Sequence, residues 1–125
     1  MLRLLAMLLA AVALAAWGAQ PAQPAQQRVE PAEIETVTVE ILESDPVQVV
    51  ANIQGYLGNG CMSLGEITQS RSGDTVEVTV PAIHSGAEIC TMQLQLIDER
   101  VPLEGPFAQG EYTLIVNGVE TSFSV

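Results

Sequence analysis

The sequence predicts an all-β chain folded as an antiparallel β-sandwich of about seven short strands, and three observations carry that prediction. First, the last sixteen residues, Gly110 to Val125, form a β-hairpin around Asn117-Gly118. An Asn-Gly pair supplies the positive φ that a two-residue type I′ turn needs at both central positions. The turn sets Val116 opposite Val119, Leu114 opposite Thr121 and Tyr112 opposite Phe123. Nearly all the large apolar side chains then share one face, with Ile115 the exception. Second, apolar and polar residues alternate with period two in several other stretches. Third, Gly, Pro, Asn and Asp punctuate these stretches at short intervals, and no helical period is sustained.

In chain order, Met1-Leu2-Arg3 and the apolar run Leu4 to Ala16 have the form of a secretory signal peptide, assigned to residues 1–19. The run is too short to span a bilayer. Cleavage after Ala15, Gly18 or Ala19 is open, as is retention of the segment as an anchor; a lipoprotein anchor is excluded because no cysteine lies there. Residues 20–32, beginning Gln-Pro-Ala-Gln-Pro-Ala-Gln, read as a low-complexity linker. The sandwich domain is expected at 33–125. Ile34 to Leu42 places Val37, Val39 and Ile41 on one face of a strand. Glu43-Ser44-Asp45-Pro46 then turns the chain. Val47 to Leu57 is a second strand, broken by Gly58-Asn59-Gly60. Gly65 to Arg71 and Thr75 to Val80 pair as a hairpin across Ser72-Gly73-Asp74, with Val76, Val78 and Val80 inward. Ala82 to Glu88 reads as a loop. Cys90 to Leu96 reads as a half-buried strand with Met92, Leu94 and Leu96 inward, and Val101 to Leu103 as a short edge piece at Pro102.

Fifteen acidic residues face four basic ones, a formal net charge of -11. Loss of Arg3 with the leader brings it to -12, since no acidic residue lies before Glu30, and no lysine occurs anywhere. Nucleic acid and anionic membrane surfaces would be repelled, so neither is an expected partner. The acidic groups are expected on solvated strand faces and turns. Two cysteines in an exported chain point to a Cys61–Cys90 disulfide. That pairing would bring the loop at 58–64 to the loop at 82–89, placing Asn59, Met62, His84 and Ser85 at one end of the sandwich as candidate binding-loop residues.

Gly110-x-Tyr112-x-x-x-Val116 resembles the tyrosine-corner region of immunoglobulin-like and fibronectin-type sandwiches, in which the Tyr hydroxyl bonds back to the preceding connection. The stretch from Ile34 to Val125, with its Gly-x-Tyr-Thr strand and Asn-Gly-Val hairpin, also resembles small secreted bacterial proteins of uncharacterised function. The resemblance implies an immunoglobulin-like architecture and a structural role for Tyr112, Asn117 and Gly118, and no activity. True immunoglobulin domains differ in carrying a core Trp and more widely spaced cysteines; here the single Trp is Trp17, inside the leader.

Chemistry was sought in the same residues. His84, the single histidine, is expected as an exposed loop residue, and no serine sits in a Gly-x-Ser-x-Gly elbow. Paired cysteines leave too few ligands for zinc, and the acidic pairs Glu43/Asp45 and Asp98/Glu99 match no calcium loop. No catalytic residue, metal or cofactor is therefore assigned. The expected function is that of a secreted, non-catalytic binding or accessory domain at the cell envelope with a protein or glycan partner. A protease inhibitor on an immunoglobulin-like scaffold is the alternative, although the Asn-Pro-Thr-Thr-Gly and Arg-Pro-Trp loops of chagasin-like inhibitors are absent; a small hydrolase is the remote one.

Overall fold

The computed structural model describes Gly18 and residues 26–125. The signal peptide expected at 1–19 lies outside the described residues apart from Gly18. The described residues form ten strands: β1 (Arg28–Pro31), β2 (Glu33–Leu42), β3 (Gln48–Leu57), β4 (Met62–Leu64), β5 (Thr68–Ser72), β6 (Thr75–Thr79), β7 (Pro81–His84), β8 (Gln95–Pro102), β9 (Glu111–Val116) and β10 (Val119–Ser124). They make one sheet in the order β2-β3-β8, a second in the order β10-β9-β6-β5, and a small third sheet β1-β7-β4. The core between them draws Val49, Ala51, Ile53 and Leu57 from β3, Val76 and Val78 from β6, Ile97 from β8, and Tyr112, Leu114, Val116 and Phe123 from the last hairpin. These are the apolar members of alternating stretches, as a half-buried strand requires. The β-sandwich is therefore the fold, and it holds three more strands than the seven expected.

The closing hairpin has the expected register, with Val119 opposite Val116, Thr121 opposite Leu114 and Phe123 opposite Tyr112. Asn117 and Gly118 take φ of 48° and 83°, the left-handed region that the turn demands. The hairpin β5-β6 also forms. Not every ladder is antiparallel: β6 runs parallel to β9, Val76 beside Leu114 and Val78 beside Val116. This pairing joins the two hairpins into one sheet.

Three segments differ from expectation. A strand, β1, lies inside the stretch read as linker, because residues 28–31 pair with β7 from Arg28↔His84 to Pro31↔Pro81. The first part of the stretch read as a loop at Ala82 to Glu88 belongs to β7, a four-residue strand flanked by β1 on one side and β4 on the other, while residues 85–88 form no strand. Residues 90–94 form no strand, and β8 starts at Gln95, opposite Leu57, the last residue of β3. Upstream of Gln95 there is no partner left to pair with, so Met92 and Leu94 stand exposed rather than inward. Leu96 is paired with Tyr56, but it alternates with the buried Ile97 and so points to the outer face of its sheet, where it too is exposed. Val101 and Pro102 are the end of this same β8, opposite Ala51 and Val50.

At Val80, between β6 and β7, and at Ala32, between β1 and β2, the chain changes sheet through a single residue. Each lies outside a strand and each is buried. Asn117 satisfies both. Its Oδ1 accepts from Val80 N at 2.9 Å, and its Nδ2 donates to the carbonyls of Val80 at 2.8 Å and Ala32 at 2.9 Å. Ala32 N donates to Val80 O at 2.9 Å, completing the joint.

At one end of the core Tyr112, Phe107 and Phe123 form an aromatic cluster. Tyr112 and Phe123 stack at 5.2 Å, and Phe107 meets Tyr112 edge-on at 5.3 Å. Arg71 lies over the Phe107 ring at 4.7 Å while its Nη1 donates to Pro106 O at 2.6 Å. The buried Tyr112 hydroxyl donates to Ala108 O at 2.8 Å, the backward bond that the tyrosine-corner resemblance implies. Tyr112→Phe is expected to destabilise the fold by about 1 kcal/mol, since it removes one net hydrogen bond while keeping the stack. Urea unfolding measures it, and an unchanged midpoint would contradict the bond.

Candidate functional site

The end of the sandwich beyond β3 and β7 is where the sequence-expected site residues converge. After Leu57 the chain leaves β3 and turns through Gly58-Asn59-Gly60. Asn59 holds this turn from within: its Oδ1 accepts from Cys61 N at 2.9 Å. Gly60 N donates to Thr91 O at 2.9 Å, so the turn is laced to the 85–94 segment. A Cβ at position 60 would sit 1.9 Å from Thr91 Oγ1, so any larger residue at this crossing would have to displace the Thr91 side chain. Gln95, at the start of β8, donates to Asn59 O and Met62 O, each at 2.9 Å.

Cys61 and Cys90 are joined as a disulfide with Cα atoms 5.3 Å apart. The bridge closes the gap left by the absent ladder: residues 85–94 have no strand partner, and the disulfide pins the middle of that segment against the Asn59 turn. Ser85 N donates to Cys61 O at 3.0 Å on the same side.

Of the four candidate binding-loop residues, the structure brings all four together but exposes only Ser85. Asn59 is half-buried in its own turn, and Met62 packs against the core. His84, expected as an exposed loop residue, is buried, because β7 places it between Arg28 of β1 and Met62 of β4. Gly86 N donates to His84 Nδ1 at 2.9 Å, and His84 Nε2 lies 3.8 Å from Cys90 Sγ. Ligand atoms of Cys61, His84 and Cys90 all lie within 4.8 Å of one another. Joined as a disulfide, the sulfurs carry no thiolate to offer a metal.

The exposed surface here belongs to Ile89, in the stretch read as a loop, and to residues that the sequence alternation turned inward. Ile89 is 92% exposed and Met92 91%, followed by Leu94 before β8 and Leu96 at its start. Their alternation signalled a shared face and could not signal that no sheet covers it. The useful clue was the Gly86-Ala87-Glu88 stretch just before, too short of β-formers to support a ladder. A second concavity, of about 420 Å³, lies beside this end between β1 and the Gly58 turn, lined by Glu30, Pro31, Glu33, Tyr56, Gly58 and Met62.

Closing the 29-residue separation between the cysteines removes loop entropy from the unfolded chain. Reduction, or Cys61→Ser, is expected to lower the unfolding free energy by about 3 to 4 kcal/mol. Thermal unfolding with and without reductant checks this, and coincident midpoints would contradict it.

The chain is similar to three small proteins of Herpetosiphon aurantiacus. One, an uncharacterised 10.2 kDa protein in the HgiCIIM 5′ region, is 36% identical over 86 residues, covering 69% of this chain and 92% of that protein. The uncharacterised 10.2 kDa proteins in the HgiBIM and HgiEIM 5′ regions are each 32% identical over 76 residues, 61% of this chain and 93% of theirs. No solved structure matches. The model of the ORF11 beta-sandwich domain matches residues 51–125, which spans the Cys61–Cys90 end, the Asn117 turn and every strand from the second half of β3 onward. The chain belongs to the ORF11 beta-sandwich domain family.

Proposed function

We propose that the protein is an exported, non-catalytic binding domain of the cell envelope that engages a protein partner through its disulfide-pinned end. The observation that carries this reading is the group of exposed apolar side chains, Ile89, Met92 and Leu94 on a segment with no ladder of its own that is fixed by the bridge, and Leu96 beside them at the start of β8. A pinned loop loses less conformational freedom on binding than a free one, and apolar anchors ringed by polar residues are what protein interfaces bury. The acidic excess favours a partner face that is apolar and basic, because anionic surfaces are repelled. Among the described residues no helix is long and apolar enough to cross a membrane. The leader and the two cysteines support export, since disulfides persist in oxidising compartments.

The test places a photo-crosslinking amino acid at Met92 and, as a control, at Ser122 on the far hairpin, in cells exporting the full chain. The expected result is a discrete protein adduct from position 92, absent from position 122 and lost when Ile89→Asp is added. Because Ile89 is exposed, that substitution should change stability by no more than about 0.5 kcal/mol. Equal labelling at both positions, or no adduct from position 92, would overturn the reading.

A further inference from the structure

We infer that the Cys61–Cys90 disulfide is an exchange-active bond with a built-in polarity: an external thiolate attacks Cys61 Sγ, and Cys90 departs as the leaving thiolate, held by the His84 imidazole. The inference stands on the geometry at the bridge and does not depend on whether the loop end binds a partner.

The polarity comes from the ring. Gly86 N donates to His84 Nδ1, which must therefore be the unprotonated nitrogen, so the neutral ring carries its hydrogen on Nε2. That nitrogen is 3.8 Å from Cys90 Sγ and is aimed at it from a buried position. Each sulfur has a carbonyl oxygen at 3.5 Å, Ile89 O at Cys61 and Ala87 O at Cys90. The carbonyls do not distinguish the two. Only Cys90 receives a hydrogen-bond donor, and a donor stabilises a thiolate over a thiol, which makes Cys90 the better leaving group. The same tautomer argues against a soft-metal site on these three residues, because coordination through Nε2 would move the ring hydrogen to Nδ1, where it would face the Gly86 N–H.

The reaction balances with an external dithiol as reductant. Its thiolate forms a new S–S bond to Cys61 as the Cys61–Cys90 bond breaks, and the bonding pair leaves on Cys90 Sγ, where His84 Nε2–H donates a hydrogen bond without giving up its proton. The second thiol of the reductant then attacks its own sulfur in the mixed disulfide and releases Cys61. The protein gains two electrons and two protons, the protons coming from the reductant's thiols through solvent, and the reductant becomes a disulfide. Neither cysteine belongs to the hydrophobic core, and both are half-buried rather than sealed. Opening the bond therefore frees the 85–94 segment while the two large sheets stay packed.

The experiment treats the native protein with excess glutathione in the absence of denaturant, quenches with N-ethylmaleimide and maps the adducts by peptide mass spectrometry. Glutathione is expected on Cys61 and maleimide on Cys90, in about tenfold excess over the reverse arrangement. With dithiothreitol, the rate of reduction should rise linearly with concentration while circular dichroism is unchanged. His84→Phe, which keeps a buried ring and deletes the donor, should slow the reaction about tenfold and abolish the preference. An even or reversed adduct distribution, a rate that saturates at the unfolding rate, or an unaltered rate and preference in His84→Phe would each overturn the inference.

Discussion

A strand that leaves one sheet for another must pass through a residue whose N–H and C=O belong to neither ladder, and if that residue is buried the unpaired groups cost about 1 to 3 kcal/mol each. Among the described residues this fold makes two such passages through a single buried residue, at Ala32 and at Val80, and it brings them side by side. A single primary amide then resolves both. Asn117 accepts from Val80 N and donates to Val80 O and Ala32 O, so the turn that closes the last hairpin is also the joint between the three sheets. The small sheet β1-β7-β4 exists because of it: β1 and β7 both start or end at this joint, and β7 in turn carries His84 to the bridge.

How much of this could be read in the chain depends on the range of the interaction that decides each element. The Gly110–Val125 hairpin was legible to the residue, because Asn-Gly fixes a turn and the turn fixes a register without help from elsewhere. The inward faces of β3 and β6 were legible for a similar reason, since period two is a local property. What Asn117 does with its side chain was not, because its partners lie 37 and 85 positions away. The same limit explains His84 and the 90–96 stretch. Pro81 and Ser85-Gly86 look like loop punctuation, and only the strands on either side of β7 turn His84 inward. Met92 and Leu94 alternate like a strand, and only the end of β3 at Leu57 denies them a partner; Leu96 has one in Tyr56 but lies on the outer face of the sheet.

The candidate site follows from that denial. Where the β3–β8 ladder runs out, a covalent bond takes over its task of holding the chain in place. Beside it, apolar side chains stand in water because no second sheet covers their face. Membership of the ORF11 beta-sandwich domain family attaches no activity to this end, and the relatives that share it are uncharacterised. The surface chemistry is nevertheless specific: an apolar segment on a strongly acidic domain, fixed by one bridge with an imidazole against one of its sulfurs.

The most direct test of the structural account is Asn117→Gly, which keeps the positive φ that the turn requires and deletes only the amide. Unfolding free energy and amide hydrogen exchange at Val80 would be measured together. Loss of about 2 to 4 kcal/mol, with Val80 N–H exchanging far faster while the β9–β10 amides stay protected, is the result predicted from an amide that joins the sheets. Wild-type stability and an unchanged Val80 exchange rate would show that Asn117 serves the turn alone, and the joint would have to be sought elsewhere.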